Sequence, residues 1–340
     1  MLVSEFDYQL SKELIAQEPI EPRDASRLLV LERSTGTIYD KRFYEIGNWL
    51  SPHDLLVLND TKVVPARIHG KLKTAGRIEL LLLRRVKSGL WEALTRPARK
   101  AKPGTEVLFD GYKAIIEERK TEGLILVRFE PEDITELLNF CGELALPPYI
   151  KKKCENPERY QTVFAQASGA IAAPTAGLHF TPDLLNKLGQ KGVEIVKITL
   201  HAGLGTFRPI KADKIEEHRM HPEEFEISEG AALAVNRAIK EKRRIVCCGT
   251  TTVRVLESQA ELGEYGFEVS AGRGVTNLYI YPGYDWKVTG ALITNFHLPK
   301  STLLLLVSSF AGRDLIMKAY QYAIEQRYRF YSFGDAMLIV

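Results

Sequence analysis

The chain has 340 residues, 45% of them hydrophobic and 26% charged, with a formal net charge of +3. That composition excludes a disordered chain, and the length is enough to bury a sizeable core. No apolar run approaches the roughly 18 residues of a membrane span, Leu303 to Val307 being a short core segment, so no membrane association is expected.

The first residues lack a basic start followed by an apolar stretch, so no signal peptide is expected. Four cysteines (Cys141, Cys154, Cys247, Cys248) without Cys-x-x-Cys spacing exclude a zinc ribbon and fit free thiols in a reducing cytoplasm. The charge is unevenly placed. Between Arg67 and Lys102 eleven basic residues face two acids, so the rest of the chain is net negative. Such asymmetry suits either a solvated strand face or a surface that meets a polyanion.

In chain order, Leu28–Leu31 and Thr37–Tyr39 flank a Ser34-Thr35-Gly36 turn and predict a hairpin. Phe43–Leu50 has helical spacing, and Asp54–Leu58 reads as a buried strand. From Val63 the texture changes to short β-rich runs at Arg77–Leu83, Trp91–Thr95, Glu106–Phe109, Ala114–Glu117 and Leu124–Phe129. Their spacing, with turns at Lys87-Ser88-Gly89, Pro103-Gly104 and Asp110-Gly111, predicts a small barrel or sandwich.

A helix over Ile134–Phe140 follows, and then a linker with Pro147-Pro148 and Lys151-Lys152-Lys153. Beyond Tyr160 strands and helices alternate. Helices are expected at Pro182–Lys191, Glu229–Lys240, Thr252–Leu262 and Ser301–Gln326, the last broken at Gly312. Strands are expected at Val193–Leu200, Ile245–Cys248, Asn277–Tyr281 and Val288–Ile293. The fold class is therefore α/β, a discontinuous sheet domain over residues 1–62 and 150–340 interrupted by an all-β barrel over 63–149.

Five polar loops stand where a plain core would be apolar. Asn59-Asp60-Thr61-Lys62, with Arg67 beyond, follows a strand, where open α/β sheets bind ligands. The run Ala172 to Thr181 holds Thr175, Gly177 and His179, and its small residues admit a close ligand; Thr181-Pro182 is an N-cap signal. His201-Ala202-Gly203-Leu204-Gly205-Thr206-Phe207-Arg208-Pro209 lacks the third glycine of a dinucleotide fingerprint but fits a backbone-donor loop. Gly249-Thr250-Thr251-Thr252 opens a helix carrying Arg254, a setting for phosphate or carboxylate, although one threonine alone would serve as cap. Thr294 to Thr302 brings Asn295, His297, Lys300 and Ser301, and Ser301 can cap the next helix.

No Gly-x-Ser-x-Gly and no Walker A loop occur, which disfavours an α/β-hydrolase and phosphoryl transfer from ATP. His218 and His221 fit no strong zinc pattern, and Cys247-Cys248 sit in an apolar strand.

Read together, the segments Arg23-Asp24-Ala25-Ser26-Arg27-Leu28-Leu29, Asn59 to Arg67, Tyr160-Gln161-Thr162 and Ala173 to Thr181 closely resemble one family. So do His201 to Pro209, Met220-His221, Gly249-Thr250-Thr251, Tyr281 to Tyr284, Thr294 to Leu303 and Ser332-Phe333-Gly334-Asp335-Ala336-Met337. The family is the S-adenosylmethionine:tRNA ribosyltransferase-isomerases of queuosine biosynthesis, and the resemblance runs from about Phe6 to the C-terminus. Gly169-Ala170-Ile171 and Met220-His221-Pro222 depart from it where serine is common.

The resemblance implies an α/β domain with an inserted β-barrel and an unusual use of S-adenosylmethionine. Its ribosyl portion passes to 7-aminomethyl-7-deazaguanine at the wobble position of a tRNA with a GUN-type anticodon. Epoxyqueuosine forms, and adenine and methionine are released. No metal and no separate cofactor are expected, S-adenosylmethionine being consumed, and the working form is expected to be a cytoplasmic monomer.

For that chemistry His179, His201 and His297 are the candidate base and acid, with Asp60 and Asp335 orienting them or the ribose hydroxyls. The candidate substrate-binding set is Arg23, Arg27, Asn59, Thr61, Lys62, Arg67, Thr175, Gly177, Gly203, Gly205, Thr206, Arg208, Thr250, Thr251, Arg254, Asn295, Lys300 and Ser301. Within it Arg208 or Arg254 with the Gly249–Thr252 turn is expected to hold the methionine carboxylate. The segment Arg67–Lys102 and Lys151–Lys153 are the candidate phosphate contacts. Two rival readings are a methyltransferase, opposed by the missing Gly-x-Gly-x-Gly loop, and a non-catalytic RNA-binding module, which leaves the histidine loops unexplained.

Overall fold

A computed structural model describes residues 1–73, 76–152, 154–203, 209–264 and 266–340, apart from the Glu122 side chain. They form two compact units, Met1–Lys62 with Pro147–Val340, and Val63–Leu146. The larger unit is built on a mixed sheet that has nine strands among the described residues. They are β1 (Arg27–Glu32), β2 (Thr37–Arg42), β3 (Leu55–Asn59), β4 (Glu194–Leu200), β5 (Glu223–Ile227), β6 (Ile245–Cys248), β7 (Gly272–Thr276), β8 (Ala291–Asn295) and β9 (Ala336–Ile339). Their order across the sheet is β7-β5-β4-β3-β6-β8-β9-β1-β2.

Strand direction decides where a site can lie. β4, β3, β6 and β8 run parallel, so Leu200, Asn59, Cys248 and Asn295 end at one edge. β9 is antiparallel to β8 and parallel to β1, which brings the starts of both, near Ala336 and Arg27, to that same edge. The loops that leave this edge are where an open α/β sheet presents groups to a ligand, although Thr61–Val63 pairs with Ala167–Ala170.

Alternating side chains feed two cores, one on each face. Leu29, Leu31, Val57, Cys247 and Met337 join one core, while Leu28, Val30, Leu58, Val246 and Leu338 join the other. Burial on both faces is why these strands read as continuous apolar runs rather than as alternating ones. Among the described residues five α-helices cover the sheet: α1 (Pro182–Gln190), α2 (Glu229–Lys240), α3 (Thr250–Gln259), α4 (Thr302–Ala311) and α5 (Arg313–Glu325). Thr181, Ser228 and Ser301 cap α1, α2 and α4 by accepting from Leu184, Ala231 and Leu304. Gly312, at φ +88°, separates α4 from α5, in a conformation that favours glycine.

The smaller unit is a closed antiparallel barrel of Arg67–Leu72, Arg77–Lys87, Leu90–Arg96, Glu106–Phe109, Tyr112–Arg119 and Leu124–Glu130, followed by a helix over Thr135–Cys141. A side chain at Gly70 would strike Val107 and Phe109 inside it. On its surface Arg67, Lys73 and Arg84 face Glu79, Glu106 and Glu92. Arg85, Lys87, Arg96, Arg99, Lys100 and Lys102 have no carboxylate within 4.0 Å among the described residues.

Four expectations shift. Phe43–Asn48 is a 3-10 helix, shorter than the expected element. The strand expected at Asn277–Tyr281 lies earlier, over Gly272–Thr276, because the Thr276 hydroxyl accepts from Leu278 N–H and turns the chain. The strand expected from Val288 starts at Ala291, because the buried Glu257 carboxylate takes the N–H groups of Lys287, Val288 and Thr289 that a ladder would use. The helix expected over Thr252–Leu262 spans Thr250–Gln259, and an antiparallel pair, Ala260–Gly263 with Gly266–Val269, follows it. Among the described residues no helix is long and apolar enough to cross a membrane.

Candidate active site

At the sheet edge a cleft of about 540 Å³ is lined by Ala172–Ala176, Gly249, Thr250, Thr251, Thr294–Leu298 and Ser332. The loops around it are tied together by one side chain. Buried Asn59 accepts from Leu200 N–H at 3.0 Å and Thr61 N–H at 3.1 Å, and donates to the Leu200 carbonyl and to Thr251 Oγ1. Loss of this amide would leave three loop ends unsatisfied, so its role is to hold the edge in shape.

His179 is buried, stacked on Phe43, and bonded at both ring nitrogens. Nδ1 lies 2.8 Å from Ser26 Oγ, and Nε2 lies 3.2 Å from the Asn295 side-chain nitrogen. That nitrogen also donates to the Tyr331 carbonyl, while Asn295 Oδ1 accepts from Thr175, so the amide orientation is set. Nε2 therefore accepts, and the proton sits on Nδ1, facing Ser26. Burial, helped by Arg329, Arg23 and Arg159, lowers the His179 pKa to about 3.

His297 lines the cleft itself. Its Nε2 lies 2.7 Å from Thr294 Oγ1, its N–H donates to Tyr320 and its carbonyl accepts from Tyr8. Burial holds it neutral as well, with a pKa of about 3. His201 is half-buried, has Nδ1 2.7 Å from Thr61 Oγ1, and lies against the Gly169 backbone, where any side chain would strike the ring. Its pKa is lowered by burial against the opposing pull of Glu224 and Asp60.

The carboxylates do other work. Asp60 accepts from Thr199 at 2.7 Å. Buried Asp335 accepts from the N–H groups of Arg27 and Arg329, which fixes the turn ahead of β9; burial raises its pKa. Buried Arg254 is paired with Glu223 and donates to the Leu278 carbonyl. Glu223 also accepts from Gly203 N–H, so one carboxylate joins α3 to the loop after β4.

The remaining candidates separate into groups. Thr175, Thr250, Thr251 and Asn295 line the cleft. Gly177 is packed so closely on Phe164 and Thr162 that a Cβ would meet them at 2.8 and 2.9 Å. Lys300 pairs with Asp7, and Ser301 is spent as the cap of α4. Arg27 pairs with Asp40 and lies over the Tyr328 ring. Lys62 is exposed, and Arg67 belongs to the barrel unit. Gly205, Thr206, Arg208 and Lys153 lie outside the described residues.

Among the described residues no group of three or more His, Cys, Asp or Glu is gathered as a metal would need, and His218 packs edge-on against Tyr279. Cys247 and Cys248 are buried, and burial pushes both thiols up. The residues that sequence reasoning passed over are Ser26 and Thr294, named only within motifs, together with Glu223 and Arg159. Nothing local marks Glu223, since its partners come from distant segments.

The fold and the cleft define an α/β protein with a small-molecule site at the carboxyl edge of its sheet, carrying an inserted barrel. The chain belongs to the queuosine biosynthesis protein family, whose model matches residues 3–339. It is 50% identical, over the full length of both chains, to the S-adenosylmethionine:tRNA ribosyltransferase-isomerases of Thermotoga petrophila and Halothermothrix orenii. It is also similar to the crystal structure of S-adenosylmethionine tRNA ribosyltransferase from Thermotoga maritima, with 41% identity, a TM-score of 0.57, and coverage of 99% of this chain and 100% of that one.

Proposed function

We infer that this chain is an S-adenosylmethionine:tRNA ribosyltransferase-isomerase of queuosine biosynthesis. It moves the ribosyl portion of S-adenosylmethionine onto 7-aminomethyl-7-deazaguanine at the tRNA wobble position, giving epoxyqueuosine, adenine and methionine. The observation that carries this is full-length kinship, at 50% identity, to relatives of that name.

The chemistry assigns work to the cleft. The sulfonium acidifies the adjacent ribose C5′–H, and His297 is proposed as its base. With Nε2–H donating to Thr294, the Nδ1 lone pair of His297 is free to take the proton. A pKa of about 3 does not bar this. The transfer conserves net charge: the substrate passes from sulfonium to a net-neutral ylide, whose sulfur keeps its positive charge, as the imidazole becomes imidazolium beside it.

His179 acts as a positioning residue. Both its nitrogens are engaged, and it fixes Asn295 and Ser26 at the wall of the cleft. His201 is the second acid–base candidate, at the departing adenine. The methionine carboxylate is assigned to the N–H groups of Thr250 and Thr251 that open α3, the Gly249 N–H being spent on the Ile293 carbonyl. Arg254, paired with Glu223, supports that turn from behind. Asp60 remains a candidate for the ribose hydroxyls.

We extend the proposal to a tRNA with a GUN-type anticodon and to a cytoplasmic monomer that consumes S-adenosylmethionine and needs no further cofactor. The domain division is proposed at residues 1–62 with 150–340 and 63–149, the barrel's unpaired lysines and arginines contacting tRNA phosphates. The test is product analysis with modified-base tRNA. Adenine and methionine in equal amounts support the reading, and S-adenosylhomocysteine would overturn it in favour of a methyltransferase.

A further inference from the structure

A second recess, open to solvent, borders the first cleft. Ser332 lines both. His179 lines the recess, whereas its Nε2 partner Asn295 lines the larger cleft. The two spaces thus share a wall made of one hydrogen-bonded pair and one serine.

The recess is cationic. Arg23 and Arg159 line it, beside apolar Ile20, Leu178 and Phe333. Arg23 donates to the carbonyls of Leu178 and Glu158, at 3.2 and 3.0 Å, and has no carboxylate within 4.0 Å among the described residues. Arg159 donates to the Ile20 carbonyl and meets one carboxylate, that of exposed Glu21. Arg329, which donates to the Glu18 carbonyl, adds a third positive charge felt at His179. Carbonyl partners hold these guanidiniums in place, and among the described residues the one carboxylate in contact with them, on exposed Glu21, meets Arg159 alone. Burial and the nearby Arg159 lower the Arg23 pKa to about 10, so the pair is held together against its own repulsion.

Such a pair selects an anion. A planar guanidinium matches phosphate oxygens in a two-pronged contact. The lining, two guanidiniums beside apolar side chains, suits a phosphate with the edge of its sugar against those side chains.

We propose that the recess formed by Arg23, Arg159 and His179 binds a phosphodiester of the RNA strand next to the nucleotide being modified. This rests on the transferase reading and names where its RNA substrate is gripped. Seated there, the strand delivers the neighbouring nucleotide to the wall of the S-adenosylmethionine cleft. The register of that nucleotide is set by a contact that carries no base information.

The test uses the full-length protein and an anticodon stem-loop RNA carrying the target base. Affinity is measured across a salt series without S-adenosylmethionine. Arg159→Ala is expected to weaken binding about tenfold and to lower the slope of log K against log salt by about 0.7 to 1. Arg159→Lys, which keeps the charge, should lose less. A charge-free methylphosphonate at one phosphate flanking the target nucleotide should weaken the wild type similarly and have no further effect on Arg159→Ala.

Equal weakening of both proteins by the methylphosphonate at every flanking position would overturn the proposal. So would unchanged RNA affinity with weakened S-adenosylmethionine binding in Arg159→Ala, which would place the methionine carboxylate in the recess. Adenine release by the wild type is scored separately. Its absence alongside intact coupling between Arg159 and one phosphate would reject the transferase reading while leaving the RNA contact standing.

Discussion

The side-chain nitrogen of Asn295 lies 3.2 Å from His179 Nε2 and 3.3 Å from the Tyr331 carbonyl. Because a carbonyl can only accept, this one amide dictates the imidazole tautomer. Asn295→Asp replaces the donor with an acceptor beside the ring. The proton should move to Nε2, and the His179 pKa should rise from about 3 towards the ordinary value of 6.5. NMR of ring-labelled histidine follows both changes, and unaltered His179 signals would mean that Asn295 does not control the tautomer.

The two buried histidines also set how stability depends on pH. Both have folded pKa values of about 3, below the unfolded value of 6.5. Between these limits the unfolded chain binds more protons than the folded one, so stability falls as pH falls from about 6.5 towards 3. Each histidine contributes a slope of up to about 1.4 kcal/mol per pH unit. Urea midpoints measured through that window should fall less steeply for His179→Gln than for the wild type. Parallel curves would contradict the assignment.

His297→Gln removes the proposed base while keeping a polar side chain beside Thr294. General acid–base catalysis is typically worth 10²- to 10⁴-fold, so turnover should drop within that range. Affinity for S-adenosylmethionine, measured by calorimetry, should change less than threefold. Turnover within tenfold of the wild type would shift the base to His201.

Glu223→Gln leaves the buried Arg254 without its counter-charge and weakens the anchor of Gly203. Breaking a buried pair from one side costs about 3–5 kcal/mol. Chemical denaturation should show a loss of that size, with part of it recovered in the double variant Glu223→Gln/Arg254→Met. A loss below about 1 kcal/mol would show that Arg254 does not depend on Glu223.

Much of this arrangement was legible in the chain. Leu28–Leu31 and Ile245–Cys248 announce themselves as strands buried on both faces, and the barrel strands are bounded by Gly and Pro turns. The loops with His179, His201 and His297 were found because polar residues after an apolar strand need a reason. The pairings were not legible. Thr61 with His201, Ser26 with His179 and Glu223 with Arg254 join residues 140, 153 and 31 positions apart, so no local pattern announces them. Glu257 shows the same limit, since a buried carboxylate drawing three N–H groups out of a ladder position moves a strand that hydropathy alone would extend.

The central claim is that the ribosyl carbons, not the methyl group, leave S-adenosylmethionine for the tRNA. The most direct measurement gives the protein S-adenosylmethionine labelled with ¹³C either in the ribose or in the methyl group, with tRNA carrying 7-aminomethyl-7-deazaguanine. Mass spectrometry of the digested tRNA then locates the label. The account predicts all five ribose carbons in the modified nucleoside, and the methyl label in free methionine. Methyl label in the nucleoside, or no label transferred by folded protein with intact tRNA, would contradict it.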